Sequence, residues 1–235
     1  SNNVSIILST FNEKLSIEFT IRELIKYLPG VEIIVVDDNS PDGTLEILKK
    51  ISYENLKVFS RKKTRGLASA FLLGLINSSG EYVGWIDANQ SELAARFPEM
   101  IEGLQSNNDI MVLSRYIDGG GDNRILLRKL TSKWFNWFCG IILRTPVKDF
   151  TSSIFLMKRK VIDEVTFLGY GCGGEFFFEF LYNAHKKGFI IKEIPYIQNK
   201  DDDLGESKSA PNLIKFFYLG LMYCIRILST IIRRN

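Results

Sequence analysis

Histidine occurs once in the 235 residues, cysteine three times and proline six times. His185 sits in the polar stretch Tyr182 to Gly188 and reads as a surface residue, so a Ser-His-Asp or Cys-His engine has no base elsewhere to draw on. Cys139, Cys172 and Cys224 are odd in number, far apart and without a C-x-x-C pair. That spacing excludes a zinc site and a disulfide framework, and it fits a reducing compartment. Excess charge is also missing: the net charge is +3, too small to argue for nucleic acid as a partner. Neither G-x-G-x-x-G nor a P-loop follows the first apolar run, which removes the main support for a dinucleotide enzyme or an NTP hydrolase. Ser1-Asn2-Asn3 leads straight into that run and is expected to be a tag remnant rather than a targeting segment. Long apolar runs are scarce. Leu213 to Ile232 approaches the ~20 residues that span a bilayer, but Lys215 and Arg226 interrupt it, so an interfacial or buried helix is expected.

What the chain does have is alternation. Apolar strand patterns at Val4–Leu8, Glu32–Val36, Lys57–Ser60 and Tyr82–Ile86 are separated by helical patterns at Lys14–Leu28, Leu45–Ile51 and Leu67–Asn77. On the first helix the apolar positions are Leu15, Phe19, Leu24, Ile25 and Leu28. This βαβ spacing predicts an α/β fold, a doubly wound, Rossmann-like and mostly parallel sheet with helices on both faces. The second half is less regular. It offers strands at Asp109–Ser114, Ile154–Met157 and Ile190–Ile194, a flexible loop at Gly119-Gly120-Gly121, and helices at 124–143 and Glu175–Lys187.

Two of the strands end in acid: Val36 runs into Asp37-Asp38-Asn39-Ser40, and Ile86 into Asp87-Ala88-Asn89. In an open α/β sheet the carboxyl ends of the strands face the ligand crevice, where a charged cofactor or a metal sits. Asp37 and Asp38 can equally cap the next helix, since capping acids are common. Their company favours the crevice, because Ser9-Thr10-Phe11-Asn12-Glu13 and Arg65-Gly66-Leu67-Ala68 are expected on the same rim.

Those segments, together with Val35–Thr44, Ser114-Arg115-Tyr116, Asp149–Phe155 and Gly205-Glu206-Ser207-Lys208, resemble in order and spacing the family-2 glycosyltransferases. Within them, the dolichyl- or polyprenyl-phosphate mannose and glucose synthases are the nearest in pattern. The resemblance implies a GT-A fold with Thr10, Phe11, Glu13, Asp37, Asp38 and Arg65 around the nucleotide of a sugar donor. It implies Asp87 on the sugar or on a Mg²⁺ or Mn²⁺ ion that neutralises the leaving diphosphate. Asn89 stands where the family's Asp-x-Asp has its second acid. Three readings stay open for it: a natural, weaker metal ligand, an engineered substitution, or an enzyme whose leaving group is stabilised by cations instead.

The helix at 124–143 carries Arg128 and Ser132 at i, i+4, with Lys129 and Lys133 in a parallel row and an apolar stripe of Leu130, Trp134, Trp137, Phe138 and Ile141. A basic row beside Trp and Phe suits a helix lying in a membrane interface, the alternative being a core helix with buried Trp. The resemblance assigns the lipid acceptor's phosphate to Arg115, Arg128 and Ser132, and places Lys208 near the donor diphosphate, with Lys200 a substitute for an upstream arginine. Residues 1–210 are therefore expected to form the transferase domain and 211–235 an amphipathic tail closed by Arg233-Arg234. The expected activity is inverting transfer of a hexose, mannose favoured, from a GDP-mannose or UDP-glucose type of donor to dolichyl or polyprenyl phosphate, at the cytosolic face of a membrane. Alternatives are a saccharide acceptor, with Asp149 as base, and a catalytically silent nucleotide-sugar-binding protein.

Overall fold

The computed structural model describes residues 3–63, 65–152, 154–165, 175–199 and Ile227. Apart from Ile227, the expected tail helix at Leu213–Ile232 lies outside these residues, as do Lys200 and Lys208. In chain order the elements are β1 (Val4–Thr10), α1 (Ile17–Tyr27), β2 (Glu32–Asp37), α2 (Thr44–Lys50), β3 (Leu56–Ser60), α3 (Leu67–Ile76) and β4 (Tyr82–Trp85). A 3-10 turn at Ser91–Arg96 leads into α4 (Phe97–Gln105) and β5 (Ile110–Ser114). The second half adds β6 (Gly121–Asp122), α5 (Leu126–Leu143), β7 (Phe155–Lys158), α6 (Arg159–Glu164), α7 (Glu175–Lys186), β8 (Ile191–Pro195) and β9 (Ile197–Gln198).

The main sheet has the order β3-β2-β1-β4-β7-β5-β8. Every pairing is parallel except those of β7, which runs antiparallel between β4 and β5. The chain thus winds outward from β1 through β2 to β3, then restarts at β4 on the other side of β1. Between β1 and β4 lies the topological switch point, where ligands of open α/β sheets bind.

Side chains alternate across the sheet with period two, so each strand feeds two cores. Ile7, Ile34, Val36, Val83 and Trp85 pack with Ala70 and Phe71 of α3 on one face. Ile6, Leu8, Ile33 and Val35 pack with Ile17, Ile21 and Leu24 of α1 and Phe97 and Met100 of α4 on the other. α1 corrects the sequence reading. Leu24 and Leu28 are buried as expected, but the first half of the buried stripe is Ile17 and Ile21, whereas Leu15 is 95% and Phe19 68% exposed, because the face packed against β1 is the one carrying Ile17 and Ile21. The glycine triplet is corrected as well. Gly121 pairs with Ile197 in the small β6·β9 ribbon, and a Cβ on Gly120 would lie 2.8 Å from the Arg115 backbone, so close approach rather than looseness requires glycine there.

At the end of the sheet away from the switch point, Glu32 of β2 ties β1, β3 and the loop before β4 together. Its carboxylate accepts from Ser5 Oγ, Lys57 Nζ (2.7 Å), Ser79 N (2.7 Å) and Ser79 Oγ (3.0 Å). Burial alone would raise its pKa, but the bonds from Lys57, Ser5 and Ser79 outweigh it and hold the carboxyl at about 2, against an ordinary 4.5. A carboxyl depressed in the folded state contributes stability that is present above the unfolded pKa and lost as pH falls through the folded one. Discounted for partial exposure, Glu32→Gln is expected to cost about 1–2 kcal/mol near pH 6. The difference from the unsubstituted protein should shrink below about pH 4.5 and vanish near pH 2, as followed by urea denaturation across that window.

Candidate active site

The register brings the rim together. Thr10 pairs with Asp37 across β1 and β2, and Ile7 pairs with Trp85, so Asp87, two residues beyond Trp85, ends β4 close to the level of Ser9. Three bonds stitch the loops after β1 and β2: Asn12 N donates to Ser40 Oγ (3.0 Å), Glu13 N to Thr44 Oγ1 (3.0 Å) and Lys14 N to Asp42 Oδ2 (3.1 Å). Asn12 and Asn39 take φ of 59° and 58°, the left-handed region that asparagine tolerates best after glycine.

Asp37 is fully buried. It accepts from Thr10 Oγ1 at 2.9 Å and from Ser40 N at 3.0 Å, and also from the Ser40 hydroxyl. Asp38 is 8% exposed and accepts from Arg61 Nε at 2.7 Å and Gly66 N at 3.0 Å. Arg61 in turn donates to Ser69 Oγ and Gly66 O, so the Asp38–Arg61 pair fixes the start of α3 against β2. Phe11 is 37% exposed with the Arg65 guanidinium 4.8 Å from its ring centroid, and the Ser16 hydroxyl donates to Glu13 Oε2 at 2.9 Å. Of the expected nucleotide residues, Phe11, Glu13 and Arg65 thus lie at the rim, while Thr10, Asp37 and Asp38 lie beneath it.

Asp87 is half-buried and accepts from the Trp85 indole N–H at 3.3 Å. Its loop is anchored on α1, where the Thr20 hydroxyl donates to Ala88 O at 2.6 Å, and is closed by Gln90 N on Asp87 O at 3.1 Å. Asn89 is exposed. Among the described residues no group of three or more His, Cys, Asp or Glu is gathered to hold a metal. The donor set is nevertheless all hard oxygen: the Asp87 carboxylate, the Asn89 amide, and Gln90 Oε1, which is buried without a hydrogen-bond partner. Such a set fits a weakly held Mg²⁺ or Mn²⁺ whose remaining ligands come from a diphosphate.

Beyond β5 the polar residues form a connected network. Arg115 is 5% exposed and forks onto the fully buried Asp149, with Nε to Oδ2 at 2.8 Å and Nη2 to Oδ1 at 2.7 Å. Burial alone would lower the guanidinium's pKa, but the Asp149 charge outweighs it and raises it. Nη2 also donates to Thr151 Oγ1 at 2.6 Å, and Asn136 Nδ2 to the same oxygen at 2.9 Å. Ser132 Oγ lies 3.3 Å from Thr151 Oγ1 and accepts from the Tyr116 hydroxyl at 2.8 Å. Asp122 receives both Arg124 Nε (2.9 Å) and Nη2 (2.7 Å). Tyr196, whose phenol is pushed up by burial, feels the charges of Arg115, Asp149 and Asp87, so the network borders the β4 terminus. Arg115 and Ser132 are brought together here, but Arg115 lies behind the surface. Arg128 is half-buried one turn before Ser132.

The outer side of α5 is different. Leu126, Leu130, Trp134, Trp137 and Ile141 are 54–69% exposed, Trp134 stacks on Phe138 at 5.4 Å, and Lys129 and Lys133 are exposed beside them. The inner side buries Phe135, Asn136, Cys139 and Leu143. The Trp residues therefore do not form a core, as the alternative reading of this helix required. No described helix is long and apolar enough to cross a membrane. Tyr116 and Thr151 stand in segments the sequence singled out but without a role of their own, and Arg61 and Asn136 had none, although Asn136, an amide one turn beyond Ser132, carried a signal.

The sequence profile described as Glycosyl transferase family 2 matches residues 5–166. The chain belongs to that family. It is 34% identical over 168 residues to the dolichol-phosphate mannosyltransferase of Pyrococcus furiosus, covering 69% of this chain and 48% of that protein. The chain thus spans about half the length of that relative. It is 25% identical over 218 residues to the polyprenol monophosphomannose synthase of Mycolicibacterium smegmatis, covering 89% of this chain and 82% of that one. The fold is shared with glucosyl-3-phosphoglycerate synthase from Mycobacterium tuberculosis. A complex with UDP superposes with a TM-score of 0.69 at 16% identity, covering 97% of this chain and 79% of that one. A complex with Mn²⁺, UDP-glucose and phosphoglyceric acid gives 0.70 at 15%, with the same coverage. The doubly wound, mostly parallel GT-A type of α/β fold is the one observed.

Proposed function

We propose that the protein transfers a hexose, mannose in preference, from a nucleotide sugar to a polyprenyl or dolichyl phosphate at the cytosolic surface of a membrane. One observation carries the reading: α5 presents exposed Trp134 and Trp137 on its outer side and Arg128 and Ser132 on its inner side, so one helix can rest on lipid and receive a lipid's phosphate. The names of the two curated relatives support mannose as the sugar. The donor's base and ribose are assigned to the Phe11, Glu13 and Arg65 rim, with Asp37 and Asp38 setting its shape from below.

The acceptor's phosphate oxygen attacks the anomeric carbon, a new C1–O bond forms, the C1–O bond to the diphosphate breaks, and the configuration inverts. Its phosphate is already ionised near neutral pH, so no general base is needed. Asp87 and Asn89 would hold a divalent cation that neutralises the departing nucleoside diphosphate. The protein's own share is positioning and charge: Arg128 and Ser132 hold the acceptor, Asp87 holds the sugar or the cation on its diphosphate, and Arg115 supports the floor from behind. Asp149 as a base for a saccharide acceptor is disfavoured, because it is fully buried with both oxygens on Arg115.

The test is a panel of GDP- and UDP-sugars, with Mg²⁺ or Mn²⁺, offered polyprenyl phosphate in phospholipid vesicles and, separately, a soluble saccharide. Labelled hexose is expected to move into the lipid fraction with one donor and not into the saccharide. Transfer to the saccharide alone, or donor binding without turnover in both the unsubstituted protein and Asn89→Asp, overturns the reading.

A further inference from the structure

The inner side of α5 contains more hydroxyls than an acceptor site needs, and counting their hydrogens shows what they do. Thr151 Oγ1 has two lone pairs and one hydrogen. The lone pairs take Arg115 Nη2 at 2.6 Å and Asn136 Nδ2 at 2.9 Å, and the hydrogen goes to Asp149 Oδ1 at 3.1 Å. Nothing is left on Thr151 to accept from Ser132, 3.3 Å away. The Tyr116 hydroxyl is 2.8 Å from Ser132 Oγ and 3.3 Å from Asp122 Oδ2, so its hydrogen belongs to the shorter bond. Ser132 therefore accepts from Tyr116, and its own hydrogen lacks a good acceptor inside the network. The neighbouring Thr131 disposes of its hydrogen in the ordinary helical way, bonding back to Leu127 O at 2.7 Å. Ser132 makes no such bond.

We propose that Tyr116 is a positioning residue that fixes the Ser132 hydroxyl as an outward hydrogen-bond donor, and so tunes this spot for an acceptor that arrives already ionised. A phosphate monoester only needs donors. A saccharide hydroxyl must lose a proton as it attacks, and the two carboxylates of this network are closed off, Asp149 by Arg115 and Asp122 by Arg124. The proposal rests on the reading that Arg128 and Ser132 receive the acceptor's phosphate, and it adds one residue, Tyr116, that never touches the substrate.

Steady-state transfer to polyprenyl phosphate in vesicles tests it, with acceptor and donor varied separately. Tyr116→Phe is expected to raise the acceptor KM about tenfold, the size of a lost hydrogen bond to a charged group, while kcat and the donor KM change less than about twofold. In a Ser132→Ala background the same Tyr116→Phe change should add almost nothing, because the group it orients is gone. Thr151→Val should leave the acceptor KM within about twofold, because Thr151 accepts nothing from Ser132. Where Thr151→Val fails to fold, the Tyr116 cycle decides. An equal effect of Tyr116→Phe with and without Ser132, or an effect on donor KM alone, overturns the positioning role and leaves the acceptor site standing. An acceptor KM untouched by Ser132→Ala overturns the acceptor site itself, and the proposal with it.

Discussion

Arg115→Ala is expected to lower the unfolding free energy by about 3–5 kcal/mol, the cost of leaving a buried charge without its partner. For a chain of this length that corresponds to a fall in Tm of roughly 10 °C. Asp149 is fully buried, and its oxygens take the Arg115 Nε, Nη2 and backbone N–H; removing the guanidinium strips the first two and leaves an anion in the core. Thr151 Oγ1 loses a donor at the same stroke. Arg115→Lys keeps the charge but not the fork, so it should recover only part of the loss. Asp149→Asn should also destabilise. The double variant Arg115→Met/Asp149→Leu should cost clearly less than the two single losses added, since the residues are in direct contact. Chemical denaturation of the four variants measures this. A loss below about 1 kcal/mol for Arg115→Ala would show that the pair is exchangeable with solvent and does not hold the floor of the site.

That pair also marks where the sequence stops being readable. The strands from β1 to β4 and their acids were legible because each is an apolar run with its own stop signal, and the parallel order follows from the crossovers. α5 was legible for the same reason: its apolar and basic positions repeat at helical spacing, and the exposed Trp134 and Trp137 lie where that repeat puts them. Phe155–Lys158 was legible as a strand but not as the antiparallel one between β4 and β5, because direction is a tertiary property that leaves no local pattern. The α1 stripe was misplaced for a related reason. Leu15 and Phe19 are as apolar as Ile17 and Ile21, and only the packing against β1 decides which set is buried. Arg115 stood out from the sequence as a cation near a strand end. That it faces inward depends on Asp149, 34 residues away, and no spacing rule connects the two.

Asp87→Ala is expected to reduce hexose transfer by about 10²–10³-fold, the loss that follows weakening the cation that would neutralise charge on the leaving oxygen. The same change should lower the unfolding free energy by less than about 1 kcal/mol. Two features of the loop separate chemistry from stability. Its backbone is held independently of the Asp87 carboxylate, by the Thr20 hydroxyl on Ala88 O and by Gln90 N on Asp87 O. The carboxylate itself is half-buried at the switch point, so its removal opens no cavity in the fully packed core. Asn89 supplies the opposite experiment. Asn89→Asp adds a second carboxylate to the same rim, and Mn²⁺ affinity followed by its paramagnetic resonance signal should tighten about tenfold or more. Transfer should rise only if the departing diphosphate is stabilised chiefly by metal, and should stay level if the cations of the site already carry that charge. Transfer that survives Asp87→Ala within threefold would remove Asp87 from the chemistry and turn attention to Arg65 and the basic residues beside it.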